Sequence, residues 1–217
     1  MVADMDRTLS REEDGFVVED EVVEAVNALA SSGRHAFAVV TGRREQSATR
    51  VAPRLRPNAW VFEGGAVVLY GGRKTIAPPH WPRLREALVR RLELLGYRCS
   101  LGEVAVYIDG DPGDLGWLRS YGAHAVMNRG RAMVLPEGVD KGSGVRALVE
   151  AMGYRGMVVA VGDGENDLSM FEAADLKVAV ANAVEELKGA ADIVLRHDDG
   201  LGVLELLRML DELPQLR

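Results

Sequence analysis

The chain has 217 residues, 47% of them hydrophobic and 27% charged, which is typical of a globular protein with a sizeable core. The net charge of -7 argues against a protein that binds nucleic-acid backbones, because such proteins carry basic faces. The only cysteine, Cys99, excludes an intramolecular disulfide, and neither a signal peptide nor an apolar run of roughly 18 residues is present, so we expect a cytoplasmic protein without membrane attachment.

Strand and helix patterns alternate over the first part of the chain and again over the last part. The predicted elements are a strand end at 1–3, a helix over 21–31 after an N-cap at Asp20, a strand over 36–40, a helix over 44–50, a strand over 60–62, a helix over 144–152, a strand over 157–161, a helix over 168–173, strands over 178–181 and 193–195, and a helix over 203–213. Such alternation implies a parallel sheet with right-handed crossovers. The expected fold class is therefore α/β, with a doubly wound and mainly parallel sheet.

The middle of the chain has a different pattern. Its predicted elements are a hairpin over 67–69 and 74–77, a helix over 83–95, a strand over 104–108, a helix near 115–121, and strands over 123–127 and 132–135. We predict that residues 72–135 form a small inserted α+β cap domain and that residues 1–71 and 136–217 form the core. The alternative is that the middle segment continues the main sheet.

The first candidate site is a pair of acids at the end of the first strand. In an extended backbone, Asp4 and Asp6 leave the chain on the same side. Two carboxylates held together must share a proton or be offset by a cation. The pair is therefore a candidate reaction centre, although an Asp-x-Asp motif alone is also common in solvated acidic segments.

Three further signals follow in a fixed order. They are Thr41-Gly42-Arg43 after the second strand, Lys141 at the start of a helical pattern, and Gly162-Asp163-Gly164-Glu165-Asn166-Asp167 after the strand over 157–161. Open α/β sheets bind ligands at the carboxyl ends of their strands, where three of the four signals lie. Carboxylates without clustered cysteine or histidine favour a hard cation such as Mg²⁺, and Thr41 and Lys141 suit a phosphate group.

The order of these motifs resembles that of the haloacid dehalogenase superfamily of phosphatases. The resemblance covers essentially the whole chain and implies that family's Rossmann-like core, with a cap inserted between the second and third signatures. In the size of the cap and in the segment from His124 to Gly130, the chain is similar to archaeal-type phosphoglycolate phosphatases and to sucrose-phosphate and Cof-type sugar phosphatases. The resemblance thus implies Mg²⁺ as the cofactor and a small phosphorylated metabolite as the partner, phosphoglycolate first and sugar phosphates second.

The resemblance also implies a role for each matching residue. Asp4 would be the nucleophile that forms an aspartyl-phosphate, and Asp6 would act as general acid and then as general base. The residues implied in substrate binding are Thr41, Gly42, Arg43, Lys141 and Asn166. The implied metal ligands are Asp4, Asp6, Asp163 and Asp167, the last being either a ligand or the partner of Lys141.

Substrate choice would depend on the cap and on arginines beside the site. Arg129 is a candidate for binding the leaving group, because an arginine holds a carboxylate through two hydrogen bonds, and a role in a hairpin turn is the alternative. Arg43 and Arg44 are candidates for the same task. Two positions depart from the family pattern, since Arg7 stands where glycine is usual and Gly64 where relatives often carry asparagine. A left-handed backbone at Arg7 would be strained.

Three other functions stay open at this point. A receiver-type regulatory domain would share acids, a threonine and a lysine around Mg²⁺, but Asp6 would then have no purpose and receivers are shorter. A phosphosugar mutase of the same superfamily and a catalytically inactive binding module are the other two. The sequence is equally compatible with a monomer and a homodimer.

Overall fold

A computed structural model describes residues 1–110, 112–128 and 131–212. The strands are β1 (Val2–Ala3), β2 (Ala38–Val40), β3 (Ala59–Phe62), β4 (Val67–Leu69), β5 (Arg73–Thr75), β6 (Arg98–Leu101), β7 (Val106–Asp109), β8 (Ala123–Asn128), β9 (Arg131–Pro136), β10 (Val159–Gly162), β11 (Leu176–Ala179) and β12 (Ile193–Val194). The helices are α1 (Asp20–Ser31), α2 (Glu45–Val51), α3 (Trp81–Leu94), α4 (Lys141–Met152), α5 (Leu168–Phe171), α6 (Glu185–Ala190) and α7 (Asp199–Glu212). Short 3-10 segments lie at Glu63–Gly65, Gly116–Tyr121 and Glu165–Asp167.

The larger sheet has eight strands in the order β12-β11-β10-β1-β2-β3-β4-β5. All pairs from β12 to β3 are parallel, and β4 and β5 join the edge as an antiparallel hairpin. The prediction of a mainly parallel α/β sheet is therefore confirmed. β1 lies between β10 and β2, where Val2 pairs with both Ala160 and Ala38. This central position brings the residues that follow β1 next to those that follow β10.

The smaller sheet has four antiparallel strands in the order β6-β7-β9-β8, all drawn from the middle of the chain. Strand β6 was missed by the pattern analysis, because its four residues, Arg-Cys-Ser-Leu, give too short an alternation to stand out and none of them is buried. The predicted hairpin is present, but β5, although within the range 72–135, pairs with β4 in the larger sheet. The division of the chain into core and cap at residues 72 and 135 stays a prediction.

Some helix details also differ from the sequence-based expectation. Asp20 is the first residue of α1 rather than its N-cap, which is Glu19 and makes no side-chain capping bond. The predicted helix near 115–121 is a 3-10 segment. Helix α6 was not predicted, because its sequence Glu-Glu-Leu-Lys-Gly-Ala buries only Leu187 and so lacks an apolar stripe. None of the helices in the described residues is long and apolar enough to cross a membrane.

One buried carboxylate connects the two sheets. Glu63 follows β3 in the larger sheet, has a left-handed backbone with φ 52°, and is 3% exposed. Its carboxylate accepts hydrogen bonds from the backbone N–H groups of Glu103 (2.7 Å), Val104 (2.8 Å) and Ala105 (2.9 Å), in the turn between β6 and β7. Trp81 of α3 donates its indole N–H to the Val104 carbonyl at 2.9 Å. These bonds fix the smaller sheet over the carboxyl edge of the larger one.

Candidate active site

The centre of the candidate site is Asp4, the first residue after β1. It is 3% exposed, and its backbone N–H donates to the carbonyl of Val161 in β10 at 3.0 Å. The Lys141 ammonium donates to Asp4 Oδ1 and to Asp167 Oδ1, both at 2.6 Å. Lys141 therefore lies between two carboxylates that are 163 positions apart in sequence.

Lys141 reaches this position because helix α4 begins against the turn that follows β3. Asp140 and Ser143 form a capping box, in which Asp140 accepts from the Ser143 N–H at 2.7 Å and Ser143 Oγ accepts from the Asp140 N–H at 2.9 Å. A Cβ on Gly65 would lie 1.8 Å from the Asp140 carbonyl oxygen, and one on Gly144 would lie 2.6 Å from the Gly65 Cα. Glycine at both positions allows the close approach.

The second acidic motif supplies two more carboxylates to the same edge. Asp167 Oδ2 accepts from the N–H groups of Asp163 and Gly164, both at 2.9 Å, while its Oδ1 accepts from Lys141. Asp167 is thus the partner of Lys141, one of the two roles left open by the sequence. Asp163 Oδ1 accepts from the Thr8 hydroxyl at 3.3 Å, and Asp163 Oδ2 accepts from Arg7 Nε at 3.1 Å.

Burial and mutual repulsion perturb the pKa values of this cluster. Burial raises the pKa of Asp4 to about 7; Lys141 opposes that shift, and the Asp163 and Asp6 carboxylates add to it. Burial, above all, also raises the pKa values of Asp163 and Asp167 above the ordinary aspartate value. Burial alone would lower the pKa of Lys141, but Asp167 and Asp4 raise it above the usual lysine value. The lysine stays charged, whereas the acids lack sufficient compensation.

The acids fit a magnesium ion. One carboxylate oxygen from each of Asp4, Asp163 and Asp167 lies within 4.8 Å of the others, and all three residues are buried. Oxygen ligands of this kind suit a hard cation such as Mg²⁺. Beside them, the Asn166 Oδ1 atom is buried and has no hydrogen-bond partner among the described residues, which points to a ligand missing from the site. Asp6, a predicted metal ligand, is not part of this group of three.

Asp6 instead pairs with Arg43 from the Thr-Gly-Arg signal. Arg43 Nε lies 2.8 Å from both carboxylate oxygens of Asp6, and its Cζ lies 5.1 Å from the centre of the Phe16 ring. Thr41 is 1% exposed, and its hydroxyl oxygen accepts from the Arg43 N–H at 3.1 Å. Both Asp6 and Arg43 line the same cavity as Asp4. The structure thus brings Asp4, Asp6 and Arg43 together, with Thr41 buried beside them.

A cavity of about 860 Å³ separates the carboxyl edge of the larger sheet from the smaller sheet. From the predicted site it is lined by Asp4, Asp6, Gly42, Arg43 and Asn166. Arg44, another sequence candidate, also lines it, together with residues of the smaller sheet that the sequence analysis did not identify, including Ser100, Tyr107, Asp109 and Arg131. No motif marks these residues, because they reach the site only when the two sheets pack together. Arg129 lies outside the described residues.

The two departures from the family pattern both have left-handed backbones. Arg7 has φ 62°, a conformation that costs a residue with a Cβ roughly 1 kcal/mol. Its side chain pairs with Asp163 and with Glu12, so the arginine neutralises one of the candidate metal ligands. Gly64 has φ 64°, which suits glycine, and a Cβ there would lie 2.2 Å from the Met133 methyl group. The expected strain is therefore present at Arg7, and Gly64 fits its position.

Comparison of sequences identifies relatives over almost the whole chain. A family model described as haloacid dehalogenase-like hydrolase matches residues 123–207. Phosphoglycolate phosphatase 2 of Saccharolobus solfataricus is 41% identical over 95% of this chain and 90% of its own length. Phosphoglycolate phosphatase of Sulfurisphaera tokodaii is 38% identical over 95% of this chain and 92% of its own length.

Comparison of structures supports the fold independently. A crystal structure of a protein from Thermoplasma acidophilum matches 97% of this chain and 96% of its own, with a TM-score of 0.79 and 19% identity. A phosphatase of the haloalkanoate enzyme superfamily from Bacteroides thetaiotaomicron matches 97% of this chain and 94% of its own, with a TM-score of 0.78 and 20% identity. At these identities the likeness concerns the fold alone, and it extends over both sheets.

Proposed function

Because the chain belongs to the haloacid dehalogenase-like hydrolases and is a phosphatase of that family, we propose that it hydrolyses phosphoglycolate through an aspartyl-phosphate on Asp4, with Mg²⁺ as its cofactor. The observation that carries the proposal is the position of Asp4, which lies at a cavity between two sheets and is bonded to Lys141 beside two further acids. A structural ion pair would need neither the extra acids nor the cavity.

In the first step, Asp4 is the nucleophile. Lys141 donates to Oδ1 at 2.6 Å, while Oδ2 accepts no hydrogen bond from the described residues and is the oxygen that attacks phosphorus. The bond between phosphorus and the ester oxygen breaks, and Asp6 gives its proton to that oxygen. Arg43, which contacts both oxygens of Asp6, stabilises the carboxylate that this transfer leaves.

In the second step, the same residues reverse their roles. Asp6 takes a proton from water, the water oxygen attacks phosphorus, and the bond between phosphorus and Asp4 breaks. Inorganic phosphate leaves, Asp4 returns as a carboxylate, and Asp6 is again protonated. The positive charge of Lys141 offsets the charge that develops on the phosphoryl oxygens in both steps, and the Asn166 amide can donate to the same group.

Asp4 and Asp163 are the residues that would hold Mg²⁺, since both oxygens of Asp167 already accept bonds from Lys141 and the backbone. When bound, the ion supplies positive charge that keeps Asp4 ionised and neutralises phosphoryl oxygens. The chain itself holds these carboxylates together, although burial and their mutual repulsion both disfavour the ionised forms.

Phosphoglycolate is supported as the substrate by the two relatives that carry this name and match over 95% of the chain. Sugar phosphates are the second candidate, because the fold is shared with a structure described as a subclass IIB sugar phosphatase, at a TM-score of 0.75. The two candidates differ in charge at the leaving group, so the residues that line the cavity decide between them.

The test is phosphate release from phosphoglycolate, a sugar phosphate, a nucleoside monophosphate and p-nitrophenyl phosphate, with Mg²⁺ or with EDTA. We expect turnover only with Mg²⁺, the highest kcat/KM for phosphoglycolate, and a phosphorylated Asp4 peptide by mass spectrometry after an acid quench. Folded, Mg²⁺-loaded protein that releases phosphate from none of the four would contradict the hydrolase. Turnover that requires a bisphosphate activator would indicate a mutase. Turnover that is unchanged by EDTA would show that Mg²⁺ is not the cofactor.

A further inference from the structure

Arg44, the residue after the Thr-Gly-Arg signal, extends from the larger sheet to the smaller one across the cavity. It is the N-cap residue of α2 and is half-buried. Its Nη2 donates to the Ser100 hydroxyl in β6 at 2.6 Å, and its Cζ lies 4.6 Å from the centre of the Tyr107 ring in β7. Two residues of the smaller sheet thus hold the guanidinium at the cavity wall.

Tyr107 is itself held by the loop that carries the Thr-Gly-Arg signal. Its hydroxyl donates to the carbonyl of Gly42 at 2.9 Å, two residues before Arg44 in the chain. The loop therefore positions the tyrosine, and the tyrosine ring positions the arginine that follows the loop. A guanidinium ordered in this way loses little conformational entropy when it binds a ligand, which favours affinity.

The charge of Arg44 is unusual among the arginines that line the cavity. Arg7 pairs with Asp163 and Glu12, and Arg43 pairs with Asp6. Arg44 contacts only a hydroxyl and an aromatic ring, and no carboxylate lies within ion-pair distance of it among the described residues. Arg50 and Arg131 also line the cavity, but both are exposed to solvent, which weakens their interactions. Among the described residues, Arg44 is thus an ordered, half-buried cation that faces the site and forms no ion pair.

We propose that Arg44 is a specificity-determining residue, which binds a carboxylate on the leaving group of the substrate. The proposal rests on the phosphatase function proposed above, and it identifies the group that would recognise an acidic substrate. A guanidinium holds a planar carboxylate through paired hydrogen bonds, and the Tyr107 ring keeps the plane of the guanidinium fixed while it does so. Ser100 and Tyr107 are positioning residues that act through Arg44.

The test compares two substrates that differ at one group. Phosphoglycolate carries a carboxylate where 2-hydroxyethyl phosphate carries a neutral hydroxymethyl group. In Arg44→Met, which keeps an unbranched chain over Tyr107, we expect the ratio of kcat/KM for phosphoglycolate to that for 2-hydroxyethyl phosphate to fall about 10- to 100-fold, mainly through KM. Arg44→Lys, which keeps the charge without the planar fork, should recover part of that ratio. Ser100→Ala should lower it by about threefold.

Arg50→Met is the matched control, because Arg50 lines the same cavity but is exposed to solvent and forms no hydrogen bond or ion pair with a described residue of the smaller sheet. We expect it to leave the ratio unchanged. Suppose that wild type prefers phosphoglycolate but that Arg44→Met lowers kcat/KM equally for both esters. This result would overturn the proposed role of Arg44 without contradicting the phosphatase function. Wild type that prefers 2-hydroxyethyl phosphate would also overturn that role. Wild type that hydrolyses neither ester would overturn the proposed phosphatase function and, with it, the proposed role of Arg44.

Discussion

Among the described residues, the Glu63 carboxylate and a cluster of three aspartates are buried, and they are stabilised in different ways. The Glu63 carboxylate accepts three backbone N–H bonds of 2.7 to 2.9 Å from the smaller sheet. Asp4, Asp163 and Asp167 lie against one another, with Lys141 as the cation between two of them. The Glu63 carboxylate is stabilised by backbone N–H dipoles, whereas the three aspartates together carry more negative charge than Lys141 can balance.

This difference separates a structural buried acid from acids that are available for chemistry. The Glu63 carboxylate is bonded to three backbone N–H groups of the turn between β6 and β7, so its role is to connect the two sheets. Like charges held together respond to protons and cations, so the aspartate cluster can bind a metal and react. Burial is nearly the same in both places, with Glu63 and Asp4 each 3% exposed. The partners, rather than the depth, decide the role.

The largest expected effect is on activity at the aspartate cluster. Asp4→Asn replaces a carboxylate oxygen of the proposed nucleophile by an amide nitrogen, so we expect kcat to fall at least about 10⁴-fold while the fold is retained. In metal-free protein at pH 8, the neutral asparagine should also raise the midpoint of thermal unfolding, because it removes a buried charge that burial and neighbouring acids disfavour. Kinetics and thermal unfolding of the same sample measure both changes. A variant that loses stability together with activity would place Asp4 in the same class as Glu63.

The second effect is a loss of stability on substitution of Glu63. Glu63→Gln replaces a charged acceptor by a neutral amide whose NH₂ group faces backbone donors, so we expect a loss of about 2 to 4 kcal/mol in the free energy of unfolding. Urea denaturation measures it. The control is Glu103→Gln in the same turn, whose exposed pair with Arg73 should contribute less than about 1 kcal/mol. Equal losses in the two variants would refute the importance of the buried acceptor.

The third effect is the pH dependence of stability that the aspartate cluster produces. Burial raises the pKa of Asp4 from its ordinary value of 3.8 to about 7, so the folded protein binds the proton more tightly than the unfolded chain. Its contribution to stability is complete below pH 4 and is lost as the pH rises to about 7. The free energy of unfolding of Asp4→Asn minus that of wild type, in EDTA, should therefore grow by about 2 to 3 kcal/mol between pH 5 and pH 8.

Urea denaturation at several pH values measures this difference. Burial alone would lower the pKa of Lys141, but Asp167 and Asp4 raise it above the usual lysine value, so the contribution of the lysine is complete throughout this range and does not change the sign. Adding Mg²⁺ should stabilise wild type at pH 8 more than Asp4→Asn. A difference between the two proteins that stays constant from pH 5 to pH 8 would show that the pKa of Asp4 is not raised in the folded protein.

The smallest expected effect is at Arg7, which supplies the aspartate cluster with an internal counter-charge. Its Nε lies 3.1 Å from Asp163 Oδ2, so the guanidinium neutralises an acid that would hold Mg²⁺. Arg7→Gly should tighten the Kd for Mg²⁺ roughly three- to tenfold, measured by calorimetry with Mg²⁺ alone. It also relieves the left-handed backbone, whereas Arg7→Ala keeps that strain and removes the same charge. Unchanged affinity in both variants would exclude competition for Asp163.

Much of the fold was predictable because its signals are local. Alternation of strands and helices predicts the parallel sheet, and the positions of Asp4 and Asp163 after apolar runs predict that they meet at one edge. Strand β6 and helix α6 were missed because they are only four and six residues long, too short for a periodic pattern to be distinguished from chance. The motif order carried the family, which sequence comparison confirmed.

From the sequence, the acids and the Thr-Gly-Arg loop could be placed at the carboxyl edge of the sheet because each follows a strand of a parallel pattern, and the family resemblance added Lys141. The bonding partner of each acid could be read only from the folded structure. Asp167 is assigned to Lys141, Asp6 to Arg43, and Glu63 to a turn 40 positions further along the chain. The same holds for Arg44 and Tyr107, 63 positions apart. Such contacts depend on how two separately formed sheets pack, and hydrophobic period carries no information about which side chains then meet.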